Sequence, residues 1–445
     1  MTSLRVKWST VLPMTLVAVT LLVYLVVIPP FQNPDEVQHF AGILGEIYPQ
    51  ALHPHLETQI IHVLWETRWF VFVGMAQPDR PPEKLNQITF LTHVMGSFTM
   101  KRGGLNFFHL FYAWILRPFK GTSMLNLFYL ARFLSLLLTL FTLTLVYRFM
   151  SGFSPTAAGP TIWLFSLVPQ FMVMGTAVNY DVFAVLFGTL FFVSLFRLTE
   201  RFSWWHLAGI MAGLFGSLFT KKGGWLFFIL LVLGLMLGRG WMRKLRAAVW
   251  VGSASVLLFS WINYLLPGKM LPLYRYLFSG VNRLYECSSA TGIAVGVRDF
   301  VSTLGKSFFA KIGWMAFELH WLWYGVFFVL VFAALFFCIA KSKNRLQWST
   351  GIYVMLTFLV LIAAIWQWYG VRGVLPQGRY LFPLWLPFII VMVTGIHELD
   401  QRFSPKSRVW SRVYLGMLIL ANAAVVFGRV IPVFYLAMSS PHQGM

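Results

Sequence analysis

Apolar runs of about twenty residues, separated by short polar clusters, recur along nearly the whole chain, and that is the length a helix needs to cross a hydrocarbon layer. The first run covers residues 8–28; Arg5 and Lys7 precede it and predict a cytoplasmic N-terminus. Further runs cover residues 124–149, 157–178 and 181–197, two short ones residues 204–220 and 223–237, and another residues 247–266. Four more follow residue 317, the last reaching residue 431, for about eleven spans in all. Two polar intervals, residues 29–120 and 267–317, are too long to be plain connections and predict functional loops on the outer face. Within the first, residues 106–116 read as an aromatic amphipathic helix lying at the interface, with Asn106 at its start.

The pattern predicts an all-α integral membrane protein, a single domain over residues 1–445. Composition agrees: 58% of the 445 residues are hydrophobic and 11% charged, against about 25% charged in soluble domains. Mean hydropathy is +0.71. The net charge of +21 sits in short clusters between the runs, which marks topology and excludes a nucleic-acid-binding face. Cys287 and Cys338 do not form a disulfide framework, and no small-residue cleavage site follows the first run, so it is expected to stay as a span. There is no internal repeat.

The first outer loop holds about half of the acids of the chain, and its opening, Asn33-Pro34-Asp35-Glu36-Val37-Gln38-His39-Phe40, is its most informative stretch. Asn33 suits a helix N-cap and Pro34 the first helical position, which would put Asp35 and Glu36 in the opening turn with His39 on the same face. The pair is either a helix-start device or the acid–base machinery of a membrane enzyme. Asp181 is a second acid at an outer span start, where Asn179 can cap the helix. Cations stand at outer span ends: Arg132, Lys221, Lys222, Arg372 and Arg379. Snorkelling to headgroups accounts for any one of them, whereas several converging on one side point to a lipid-linked phosphate. His53, His55, Glu57 and His62 are loosely spaced like metal ligands, but no metal motif with defined spacing is present; a divalent metal stays open. No Walker loop, dinucleotide fingerprint or nucleophile elbow appears, so a soluble nucleotide donor has no cradle.

Four segments, in order, resemble the signatures of a bacterial membrane family, the domain-of-unknown-function 2142 family. These are Pro34-Asp35-Glu36-x-x-His39-Phe40, then Leu167-Val168-Pro169-Gln170 with Ala177-Val178-Asn179-Tyr180-Asp181, then Lys311-Ile312-Gly313-Trp314-Met315, then Gln377-Gly378-Arg379-Tyr380-Leu381-Phe382-Pro383. Ile312 replaces the usual aromatic, and Asn33 stands where a proline or small residue is common. That family is similar to the GT-C glycosyltransferases, and Gly209…Gly213 closing on Lys221 resembles a GT-C pattern. The resemblance implies a GT-C-like bundle with an outward active site in the bacterial cytoplasmic (inner) membrane. It implies a polyprenyl-phosphate sugar donor and an envelope glycan, lipid or protein as acceptor. Asp35, with Glu36 beside it, would be the catalytic acid pair; His39, Asp181, Lys221, Arg372, Arg379 and Tyr380 would bind substrate. A lipid-linked glycan transporter or scramblase, or a non-catalytic assembly partner of an envelope glycan pathway, is the alternative.

Overall fold

The computed structural model describes residues 8–48, 54–88, 91, 107–153, 155–200, 202–220, 224, 226–237, 296–312, 315–340, 345–368 and 376–436. These are almost wholly helical. Five helical stretches are long and apolar enough to cross a membrane: Met124–Gly152, Asp181–Leu198, Trp321–Ile339, Gly378–Phe403 and Val409–Leu436, with shorter apolar helices at Val11–Val27 and Tyr353–Trp366. The protein is a multi-pass membrane protein. The expected span at residues 247–266 and most of the second outer loop lie outside the described residues.

In chain order the main helices are α1 (Trp8–Val27), α2 (Glu36–Ile47), α3 (Pro54–Glu66), α4 (Phe107–Leu116), α5 (Met124–Phe153), α6 (Pro155–Ser166), α7 (Pro169–Thr176) and α8 (Asp181–Glu200). They continue with α9 (Trp204–Thr220), α10 (Leu226–Leu237), α11 (Val297–Phe309), α12 (Trp321–Ala340), α13 (Arg345–Trp368), α14 (Trp385–Phe403) and α15 (Val409–Val425). A 3-10 turn, Gly378–Leu384, leads into α14, and a two-stranded hairpin pairs Lys311–Ile312 (β1) with Phe317–Glu318 (β2).

The stretch Gly378–Phe403 is the centre of the bundle: 78% of its apolar window is buried, against 28% for Trp321–Ile339, which faces outward. Gly395 lets α14 close on α12, since a methyl there would collide with the Ala334 carbonyl. The first outer loop forms a second core on the end of α5, where Phe31, Val37 and Phe40 pack with Phe108, Tyr112 and Phe128. The aromatic helix foreseen at residues 106–116 forms at Phe107–Leu116, with Phe108 and Tyr112 buried and Trp114 exposed.

The continuous third span foreseen at residues 157–178 is instead broken. α6 stops at Ser166, and α7 restarts at Pro169, a proline at the first helical position. Proline cannot continue the hydrogen-bond ladder, and the Phe171 amide turns to the Val168 carbonyl, so the Leu167 carbonyl needs another donor. Asn422 of α15 supplies one, donating to the Leu167 carbonyl at 2.7 Å while accepting from the Tyr24 hydroxyl of α1 at 2.8 Å. Irregular backbone inside a membrane protein is tolerated when protein groups satisfy it in this way.

Candidate active site

The chain turns sharply between α1 and α2, and the cap differs from the one foreseen. The helix begins at Glu36, not at Pro34, and Asp35 is the N-cap, in the left-handed region at φ 64°. Asn33 does not cap because its side chain lies by the Glu36 carboxylate, 3.5 Å from each oxygen. The Pro34 carbonyl accepts from Asn179 at 3.0 Å and from Arg379 at 3.5 Å. Asp tolerates the left-handed region better than most residues, yet the conformation costs on the order of 1 kcal/mol and persists because the surroundings fix it.

The two neighbouring acids diverge from here. Glu36 is fully buried and forms a two-pronged pair with Arg132, Nε to Oε1 at 2.9 Å and Nη2 to Oε2 at 2.8 Å. It also accepts the Val178 amide at 3.1 Å. The remaining Arg132 donors reach the carbonyls of Ile28 at 2.5 Å, Pro29 at 3.0 Å and Leu25 at 3.2 Å, closing off the end of α1. Arg132 is therefore neither a snorkelling cation nor an open phosphate ligand. Its charge is used inside the protein.

Asp35 keeps one side open. Its side chain is 24% exposed, and Oδ2 accepts a short charged hydrogen bond from Arg379 Nη2. The same guanidinium, itself buried, stands 3.3 Å from the Asp181 carboxylate through Nη1. One arginine thus serves two carboxylates. Asp181 is buried, held through its amide by Asn179 Oδ1 at 3.0 Å, so Asn179 caps α8 as the sequence allowed and also ties that cap to Pro34. The void behind Asp181 is about 10 Å³, room for about one water, so no sugar ring reaches Asp181 from that side.

Arg379 is placed by the close approach of its neighbour. A methyl on Gly378 would run into the Phe308 backbone and the Leu304 carbonyl of α11, and the Gly378 amide donates to Ser307 Oγ at 2.7 Å. Gly in the Gln-Gly-Arg-Tyr segment is thus a packing requirement. Gln170 in turn accepts the Lys311 amide at 3.1 Å, which joins the broken helix to the β1–β2 hairpin. The four segments singled out in the sequence therefore meet in one linked region.

His39 is buried, with Nδ1 3.1 Å from His109 Nε2 and its ring 4.5 Å from Tyr180 in an edge contact. Burial pushes His109 down to about 4, so its ring is neutral at ordinary pH. Tyr380 flanks the cluster, its ring centre 5.7 Å from the Arg379 guanidinium carbon. Lys221 and Arg372 lie outside the described residues, as does His53. His55 and His62 are exposed on α3, and Glu57 accepts the Leu85 amide at 2.8 Å, so these side chains do not come together. Among the described residues, no three His, Cys, Asp or Glu side chains form a metal-ligand group. One charged cluster gave no sequence signal: Glu318 of β2 pairs with Lys306 and Lys311 at 2.7 Å each. Burial alone would raise Glu318, but these two lysines outweigh it and hold the carboxyl below its usual range.

No family model matches the chain, and no curated protein matches it by sequence. Among solved structures it is similar to the crystal structure of ArnT from Cupriavidus metallidurans bound to undecaprenyl phosphate, with a TM-score of 0.52 and 16% sequence identity. The likeness covers 95% of this chain and 65% of that one, so the chain spans about two thirds of the length of the protein it matches. At that identity the likeness is one of fold: the bundle is GT-C-like.

Proposed function

We propose that the protein is an integral-membrane glycosyltransferase that moves a sugar from a polyprenyl-phosphate donor to an acceptor outside the cytoplasm, with Asp35 as the general base. The observation that carries this reading is the asymmetry of the acid pair: Glu36 is spent on Arg132 and Val178, while Asp35 keeps an exposed edge beside a buried arginine. The GT-C-like fold, shared with a protein crystallised with undecaprenyl phosphate, supports the donor class.

In this reading the acceptor oxygen attacks the anomeric carbon, and the bond from that carbon to the lipid phosphate breaks. The phosphate leaves with the electron pair, the acceptor proton passes to Asp35, and the anomeric centre inverts through an oxocarbenium-like transition state. Arg379 acts as a positioning residue that fixes the Asp35 carboxylate, and Asp181 fixes Arg379 from the other side. Glu36 holds the loop that carries Asp35. Lys221 and Arg372 are the cations proposed to meet the leaving phosphate, and His39 and Tyr380 to line the acceptor side. A loss of on the order of 10²-fold or more is expected in release of free polyprenyl phosphate from a labelled lipid-linked sugar on Asp35→Asn. Release at the wild-type rate would remove Asp35 as base.

The break between α6 and α7 favours a second reading, because discontinuous helices are frequent in transporters. The same assay separates the two: a transporter moves the intact lipid-linked sugar between leaflets and releases no polyprenyl phosphate.

A further inference from the structure

At the end of the bundle opposite Asp35, a cavity of about 480 Å³ opens between α1, α6, α14 and α15. That size lies within the roughly 300–1,000 Å³ typical of small-molecule sites. Its walls change character with depth. Pro13, Trp163, Leu164, Val393 and Ile396 make one side apolar, and Lys406, Arg408, Arg412 and His397 make the mouth basic.

The acid within the cavity is bonded to a helix start and not to those cations. Asp400 is buried and accepts the Trp410 amide at 2.8 Å, the Ser411 amide at 3.3 Å and the hydroxyls of Ser404 and Ser411, so it caps α15. Lys406, Arg408 and Arg412 are exposed, and none of their side chains has an ion-pair partner among the described residues. Unpaired cations above an apolar slot at a membrane edge call for an amphiphile with an anionic head. This end is also the one that the charge pattern assigns to the cytoplasm, where anionic headgroups attract basic clusters.

We infer that this cavity is a binding site for one anionic phospholipid of the cytoplasmic leaflet, its phosphate among Lys406, Arg408 and Arg412 and its upper chain against Trp163 and Ile396. The site is far from Asp35 and independent of the proposed transfer chemistry, so either can fail without the other.

The test uses the full chain in nanodiscs of phosphatidylcholine containing phosphatidylglycerol, with retained lipid counted by native mass spectrometry. The wild type is expected to keep one phosphatidylglycerol in preference to phosphatidylcholine. Lys406→Ala with Arg412→Ala should lower that preference about thirtyfold, from the loss of two cations near the headgroup plane. Arg408 is left in place because its backbone is left-handed, at φ 48°. Gly159→Phe tests the apolar wall with every charge kept, since Gly159 lines the cavity and a Cβ there meets nothing within 4 Å. It too should reduce retention, and it carries the test if the double variant fails to fold in pure phosphatidylcholine. Unchanged preference in both variants would overturn the site. So would displacement of the lipid by free inorganic phosphate, which would mark an ion site, or equal retention of phosphatidylcholine by the wild type.

Discussion

Asp35 and Glu36 are adjacent in the chain, yet they end in opposite surroundings. Glu36 faces inward to Arg132, and its carboxylate is closed in by the guanidinium, the Val178 amide and the Asn33 side chain. Asp35 turns through a left-handed backbone to Arg379 and keeps a quarter of its side chain in contact with the outside. Both are ion pairs with arginine, so charge pairing does not separate structure from chemistry here. What separates them is whether any carboxylate oxygen is left for a substrate. The backbone at Asp35 makes the difference, because one residue of left-handed conformation points successive side chains at different partners.

This contrast can be broken experimentally. The largest expected effect is on turnover: Asp35→Asn should lower it by on the order of 10²-fold or more while the protein stays folded. Glu36→Gln or Arg132→Met should instead destabilise the fold by about 3–5 kcal/mol, read by thermal or denaturant unfolding, because each leaves a buried charge without its partner. The double variant Glu36→Leu with Arg132→Met should recover only part of that loss, since the Leu25 and Ile28 carbonyls lose the donors that Arg132 gives them. A Glu36→Gln protein that folds normally but is inactive would reverse the assignment of the two acids. Gly378→Ala should cost about 1–3 kcal/mol by overpacking and should lower turnover by displacing Arg379. In an Asp35→Asn background the same change should lower turnover no further, because both act through one cluster.

The smallest effect concerns pH. The folded His109 sits at about 4, below the ordinary value of about 6.5, so the stability its neutral ring contributes is complete above about pH 6.5 and falls as pH drops toward 4. Over the first pH unit below 6.5 the loss should be about 1 kcal/mol, and His109→Gln should remove it; an unchanged acid slope in that variant would assign the sensitivity elsewhere.

Much of this arrangement was legible in the sequence because chemistry at a membrane leaves polar residues where apolar ones are expected. Asp35, Asp181 and Arg379 stood out at span ends, and the structure brings those three into contact. The apolar runs likewise foretold α1, α5, α8 and α12 in outline. The identity of the partner of Arg132 was not legible, because Glu36 is 96 residues away and nothing local marks the pair. Read by itself, Arg132 looked like a cation reaching for headgroups. The break at Leu167 and Val168 was hidden in an unbroken apolar run, although Pro169 was its signal. The satisfaction of that break by Asn422, 255 residues later, has no local trace at all. The cap at Asp35 was misplaced for a related reason: Asn33 is a good cap by propensity, but Glu36 and Asn179 compete for the groups that a cap at Asn33 would use.

The separation of 344 residues between Asp35 and Arg379 has a consequence for biogenesis. As the chain is made from its N-terminus, α1 and the loop after it are inserted first; Asp35 then waits for Arg379 until most of the sequence has left the ribosome. Until then the Asp35–Arg379 pair cannot form, and an unfinished chain holds Asp35 at a membrane end without that arginine. A product truncated before Gly378 is thus expected to be an acid-bearing bundle that quality-control proteases recognise. Late pairing makes the completion of synthesis itself the step that assembles the site.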